Sequence, residues 1–187
     1  MYLVKELSTE VASSSWHKSE TASLFSSPEL LKSLGLKSRF IGGYKNDDLL
    51  IVWPLIETDN GYNLPPAFSY YFGPYWINNQ LLDKPYKRYR NNLEVLNCLI
   101  EKINLIAPKI KFSLSPEFLD LRPFQWWNFH KPRNGQFKIN LRYTAKYSFY
   151  NNINEEHIIN SFRLDDKRKK IKQIEKQKQL SIFFEVK

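Results

Sequence analysis

KSRFIGGYKNDDLLIVWPLIET, residues 37–58, carries two apolar runs on either side of Lys45-Asn46-Asp47-Asp48. Asn and Asp tolerate the left-handed backbone that a tight reversal needs, so this pattern predicts a β-hairpin. Upstream, SPELLKSLG at 27–35 predicts a short helix. Ser27 can cap its free amide groups, Pro28 fits the first helical position, and Gly35 supplies a left-handed stop. Downstream, NLPPAFSYYFGPYW at 63–76 sets aromatics between Pro65-Pro66 and Gly73-Pro74, which predicts alternating strand and rigid loop.

The second half continues the mixture. Leu93, Leu96, Leu99, Ile100, Ile103 and Ile106 recur at three-and-four spacing, predicting an amphipathic helix over 86–107 that ends before Pro108. KIKFSLS at 109–115 reads as a short strand, and Pro116, Pro123 and Pro132 interrupt an aromatic stretch. FKINLRYTAKYSF at 137–149 alternates like a half-buried strand. An Asn-rich turn at 151–154 leads into a long helix from about Glu155 to Lys178, and Leu180 to Val186 read as a further strand. Helices interleaved with hairpins give an α+β fold with a mixed, mostly antiparallel sheet flanked by helices.

The bulk numbers set bounds. The chain has 187 residues, 42% apolar and 16% aromatic, enough for one domain with its own core. No run approaches the roughly 18 consecutive apolar residues of a spanning helix. MYLVKELSTEVASSSW, with Glu6 and Glu10 and no long apolar stretch, does not read as a secretory leader. Cys98 is the single cysteine, so neither an internal disulfide nor a cysteine-based zinc site can form. The single cysteine favours the cytoplasm. The net charge of +9 invites nucleic acid or anionic lipid as partner. A Lys-rich composition of the kind codon bias produces, with much Asn, Ile and Tyr beside it, is the favoured account of that global charge.

Few residues carry chemistry on their own. His17, His130 and His157 are far apart and lack metal-ligand spacing. Cys98 lies beside Leu99 and Ile100 on the apolar helix face, which predicts a buried, inert thiol. Asp47-Asp48 belong to a turn, and Asp165-Asp166 lie among cations. Gly42-Gly43 sit inside the hairpin, with Gly73 and Gly135 isolated, so no glycine-spaced loop opens a helix to cradle phosphate. Two aromatic clusters stand out, Phe68 to Trp76 and Phe124 to Phe129. They are either core packing or a groove wall built on Tyr70, Tyr71, Trp76, Trp126 and Trp127. Consecutive rings on a strand point to opposite faces, so one ring of each pair, Tyr70-Tyr71 and Trp126-Trp127, is expected outside. In the 155–178 helix, Ile159, Phe162, Ile171 and Ile174 anchor an apolar side while Arg163, Lys167, Arg168, Lys170 and Lys176 project. That basic side is either solvated or recognises anions.

Three segments, in order, resemble a known family. They are LPPAFSYYFGPYW at 64–76, SPEFLDLRPFQWWNF at 115–129, and RYTAKYSF with SFRLDDKRKKIKQIEKQKQLSI between 142 and 182. Together they resemble the N-terminal half of FemAB-like proteins of the GNAT acyltransferase superfamily, which include peptidoglycan aminoacyltransferases and enzymes of polysaccharide gene clusters. The family's basic helix pattern corresponds to Arg168-Lys169-Lys170-Ile171-Lys172-Gln173-Ile174-Glu175-Lys176. Two departures stand out. Leu30 replaces a frequent Trp after Ser27-Pro28-Glu29, and Ala145-Lys146 follow Tyr143-Thr144 where many members turn to leucine.

The resemblance implies a single GNAT-like N-terminal lobe over 1–178 and, at 179–187, the first strand of an absent second lobe. The chain would then be a first lobe, shortened by gene splitting, by a frameshift or by design, and inactive alone. Substrate would meet Tyr70, Tyr71, Trp76, Trp126, Trp127 and Arg142, and anionic groups would meet Arg163, Arg168, Lys169 and Lys172. No cofactor is expected in this chain; acyl-CoA or aminoacyl-tRNA would be the donor of the complete enzyme. The implied partners are a second GNAT-like lobe or a downstream gene product, with an anionic sugar or nucleotide-linked substrate. Two other readings stand beside this one: a non-catalytic binding module that docks onto a partner lobe, and a protein that binds tRNA or other nucleic acid through the basic helix.

Overall fold

The computed structural model describes residues 1–58, 65–66, 69–77 and 84–140. The chain divides into two units, Met1–Leu141 and Arg142–Lys187, and every described element belongs to the first. The expected helix from about Glu155, the strand at 180–186, and Arg142, Arg163, Arg168, Lys169 and Lys172 lie outside the described residues.

The hairpin forms as expected. β2 (Ser38–Lys45) and β3 (Asp48–Ile56) pair antiparallel from Lys45↔Asp48 to Ser38↔Ile56. Asn46 turns the chain with φ 54°, the left-handed conformation that its short amide side chain tolerates. The register shifts between Gly43 and Tyr44, leaving Leu50 as the extra residue on β3, a β-bulge. Two further strands complete a sheet in the order β1-β2-β3-β4: β1 (Tyr2–Leu7) pairs antiparallel with β2, and β4 (Tyr75–Trp76) with β3. The fold is thus α+β with an antiparallel four-stranded sheet.

Both faces of the sheet are covered, which explains why β3 reads as an unbroken apolar run. Ile51, Trp53 and Leu55 point to one side, where they meet Val95, Leu96, Leu99, Ile100 and Ile103 of helix α3 (Pro85–Ile106). Val52 and Ile56 point to the other, with Phe40, Ala12 of helix α1 (Thr9–His17) and Leu31 of helix α2 (Pro28–Ser33). Antiparallel sheets more often leave one face wet and alternate accordingly. Pro54 is tolerated in β3 because β4 reaches only Ile51 and Val52, so its missing N–H falls where no described strand asks for it.

The caps of α2 behave as their chemistry dictates. The Ser27 hydroxyl accepts from the Leu30 amide at 3.3 Å, and Gly35 adopts φ 68°. The Gly35 amide donates to Lys32 O and the Leu36 amide to Leu31 O, the paired bonds of a Schellman stop.

Other expectations change. The first 17 residues, read above only for a leader, form β1 and α1, with the Ser8 hydroxyl accepting from the Val11 amide as N-cap. KIKFSLS is not a strand: Ile110 and Ser113 make isolated bridges only, and the one from Ser113 to Phe72 does not extend into a ladder because Pro74, two residues on, has no N–H to give. Residues 137–140 are coil rather than strand, and the remainder of that expected strand lies outside the described residues. Helix α4 (Arg122–Trp126) replaces the strand geometry assumed for Trp126-Trp127, since Pro123 presets helical φ in its first turn. Among the described residues no helix is long and apolar enough to cross a membrane.

Candidate functional site

The structure sends the expected ring residues to different places. Tyr70 is exposed, with its ring edge-on to Phe25 at 6.2 Å, and Tyr71 is half-buried. Trp76 is half-buried and stacks on Phe118 at 5.5 Å between centroids. Trp127 is half-buried and packs against the same core, while Trp126 is exposed. Packing against the core therefore accounts for Trp76 and Trp127, and Tyr70 and Trp126 offer rings to solvent.

A serine- and threonine-bearing segment that the sequence reading passed over holds this region in place. Ser19 Oγ donates to Trp76 O at 2.6 Å, and Thr21 Oγ1 accepts from the Trp76 amide at 2.8 Å. Ser23 Oγ donates to Tyr71 O, and Trp16 Nε1 donates to Ser23 O at 2.8 Å. Side-chain hydroxyls thus satisfy backbone groups on the outer edge of the two-residue β4. The signal was present as Ser and Thr at every second position from 19 to 23.

One surface brings rings and cations together. A shallow groove of about 550 Å³ is lined by Tyr86, Tyr89, Arg90 and Leu93 of α3 and by Arg122 of α4. Tyr86, Tyr89, Arg90 and Leu93 follow helical spacing, so they share one side of α3. Leu93, expected in the core stripe, instead walls this groove, and Val95 takes the core position. Arg122 is fixed by Asp120, whose carboxylate accepts from its Nε at 2.8 Å, its Nη2 at 2.6 Å and its backbone amide at 3.1 Å. Those hydrogen bonds from Arg122 hold the Asp120 carboxyl below the usual carboxylate range. The Arg122 guanidinium also lies over the Trp126 ring at 5.9 Å, and Arg88 lies over Tyr89 at 5.7 Å. Flat cations over ring faces make a surface suited to anionic partners. KPYKRYR at 84–90 was its sequence signal, hidden inside a helix read for its apolar stripe.

Cys98 departs from expectation in degree. It is half-buried rather than buried. Burial pushes the thiol up from its ordinary value, and the carboxylates of Glu101 and Glu94, one turn away on either side, push it further. A raised thiol keeps the proton, so the nucleophilic thiolate is scarce at neutral pH. Iodoacetamide labelling of the folded chain should therefore be several-fold slower than labelling of the unfolded chain at neutral pH. Its rate should rise only at higher pH than for an unfolded thiol. Equal rates in both states would contradict the assignment.

Among the described residues no cluster of His, Cys, Asp and Glu could hold a metal ion. No family model matches the chain, and no curated protein or solved structure matches it significantly.

Proposed function

We propose that this chain is the N-terminal lobe of a FemAB-like acyl- or aminoacyltransferase of the GNAT superfamily, working in the cytoplasm on a cell-envelope or polysaccharide precursor. One observation carries the reading. Two sequence-distant segments behind the resemblance meet: Trp76 of 64–76 stacks on Phe118 of 115–129 at 5.5 Å. Residues that a family shares for scaffolding are expected to meet in this way. The antiparallel sheet with helices on both faces is also the architecture the resemblance implies.

In this reading the chain recognises the acceptor, and a second GNAT-like lobe or downstream gene product seats acyl-CoA or aminoacyl-tRNA. An amine or hydroxyl of the acceptor attacks the thioester or ester carbonyl. Backbone amides stabilise the tetrahedral oxyanion, and the thiol or tRNA hydroxyl leaves with the proton lost by the attacking group. The exposed ring of Tyr70 is available to a sugar. By the resemblance alone, anionic groups meet Arg142, Arg163, Arg168, Lys169 and Lys172. Titration calorimetry with a nucleotide-linked amino sugar is expected to show saturable binding, weakened about tenfold or more by Arg168→Ala. An absence of binding, or an affinity that Arg168→Ala leaves unchanged, contradicts the assignment.

A further inference from the structure

The groove of α3 and α4 is not absorbed by that reading, and its chemistry points elsewhere. We infer that it is a docking surface for anionic phospholipid headgroups at a membrane face. Residues 84–93 carry Lys84, Lys87, Arg88 and Arg90 with no acidic residue among them, and none of the four forms an ion pair among the described residues. Between these cations stand Tyr86, 64% exposed, and Tyr89, 49% exposed, with Trp126 at 59% across the Arg122 guanidinium. Tyr and Trp pair an apolar body with a polar tip and settle at the boundary between water and lipid. Lys and Arg lay apolar stems along such a boundary while their charged ends meet phosphate.

A nucleic-acid strand would satisfy the charge but not the aliphatic side chains. Leu93 walls the groove, and Leu119, next to the Asp120 that grips Arg122, is 82% exposed. Neither can stack on a base, and both gain by leaving water among acyl chains. Attachment through headgroup contacts and a few interfacial rings is peripheral and reversible.

Flotation of the full chain with phosphatidylcholine vesicles, with and without phosphatidylglycerol, tests this. Binding is expected only with the anionic lipid and should weaken as salt rises. Two triple variants separate this surface from the chain's other basic region: Lys87→Glu/Arg88→Glu/Arg90→Glu, and Arg163→Glu/Arg168→Glu/Lys169→Glu. Each replaces three cations by three anions, 9 − 6, and so lowers the net charge from +9 to +3. At about fivefold per cation lost, the first should weaken binding by roughly a hundredfold or more, and the second by at least about tenfold less. Brominated phospholipid should quench tryptophan emission in the wild type, and Trp126→Phe should remove most of that quenching. Equal losses in the two triples overturn the inference. So does equal binding to neutral vesicles, no binding to either, or quenching unchanged in Trp126→Phe. A single-stranded RNA oligomer that binds in place of vesicles, and is lost with the first triple, also overturns it. These readouts do not involve acyl transfer, so they fail or succeed independently of the acyltransferase reading.

Discussion

Replacing Trp53 by alanine is expected to lower the unfolding free energy by about 3–5 kcal/mol, the usual cost of emptying a large buried site. Trp53 has no exposed surface and stands on the central strand β3, edge-on to Phe112 at 4.9 Å and Phe124 at 6.0 Å. Those two rings come from the loop after α3 and from α4, so the indole ties the irregular 107–127 region to the sheet. Among the described residues its buried Nε1 has no hydrogen-bond partner. An unmet buried donor costs about 1–3 kcal/mol, and phenylalanine at this position would remove it while keeping a ring. Trp53→Phe should therefore lose much less than Trp53→Ala, about 1 kcal/mol or below. Urea unfolding with unchanged slopes reads both values. An alanine variant within about 1 kcal/mol of wild type would contradict the packing described here.

The second large effect concerns Gly43. A Cβ built there would lie 2.7 Å from Ile51 Cγ2 and 2.8 Å from Val95 Cγ2. Both contacts are branch methyls of fully buried side chains whose χ1 is restricted, so neither can swing away. The missing side chain is what lets α3 lie close on β2. Gly43→Ala is expected to cost about 1–3 kcal/mol through overpacking. The neighbouring Gly42 is the control. A Cβ there meets Leu49 Cδ1 and Leu7 Cδ2 at 2.8 Å, ends of longer chains on the opposite face that can shift. Gly42→Ala should cost clearly less, and the reverse ranking would mean that α3 does not sit on this face of the sheet.

What the sequence made legible follows from where local chemistry was strong. The β2–β3 hairpin, α2 and α3 each carried their own signals: turn residues at 45–48, a capping Ser27 with a stopping Gly35, and a regular apolar stripe from Leu96 to Ile103. β1 and α1 carried weak ones. Tyr2–Leu7 is a strand because β2 offers it an edge, and α1 buries only Ala12 and Ser15, too little to mark a stripe. KIKFSLS shows the converse, with strand-forming residues but only isolated bridges at Ile110 and Ser113.

The candidate groove was hidden for a different reason. Its cations and rings come from α3 and α4, and only the Asp120 grip on Arg122 and the ring of Trp126 complete it. Periodicity identifies the buried side of a helix and says little of what its outer side meets. The alternating Ser19, Thr21 and Ser23 left a signal that did not identify their clamp, since hydroxyl-rich stretches serve loops, caps and edges alike.

The acyltransferase reading meets its most direct test in a transfer assay with an isotopically labelled acyl donor and a nucleotide-linked amino sugar as acceptor. The chain is combined with the downstream gene product in one arm and left alone in the other. Label is predicted on the acceptor only in the combined arm. Label transferred by the chain alone, or none in either arm, would contradict it.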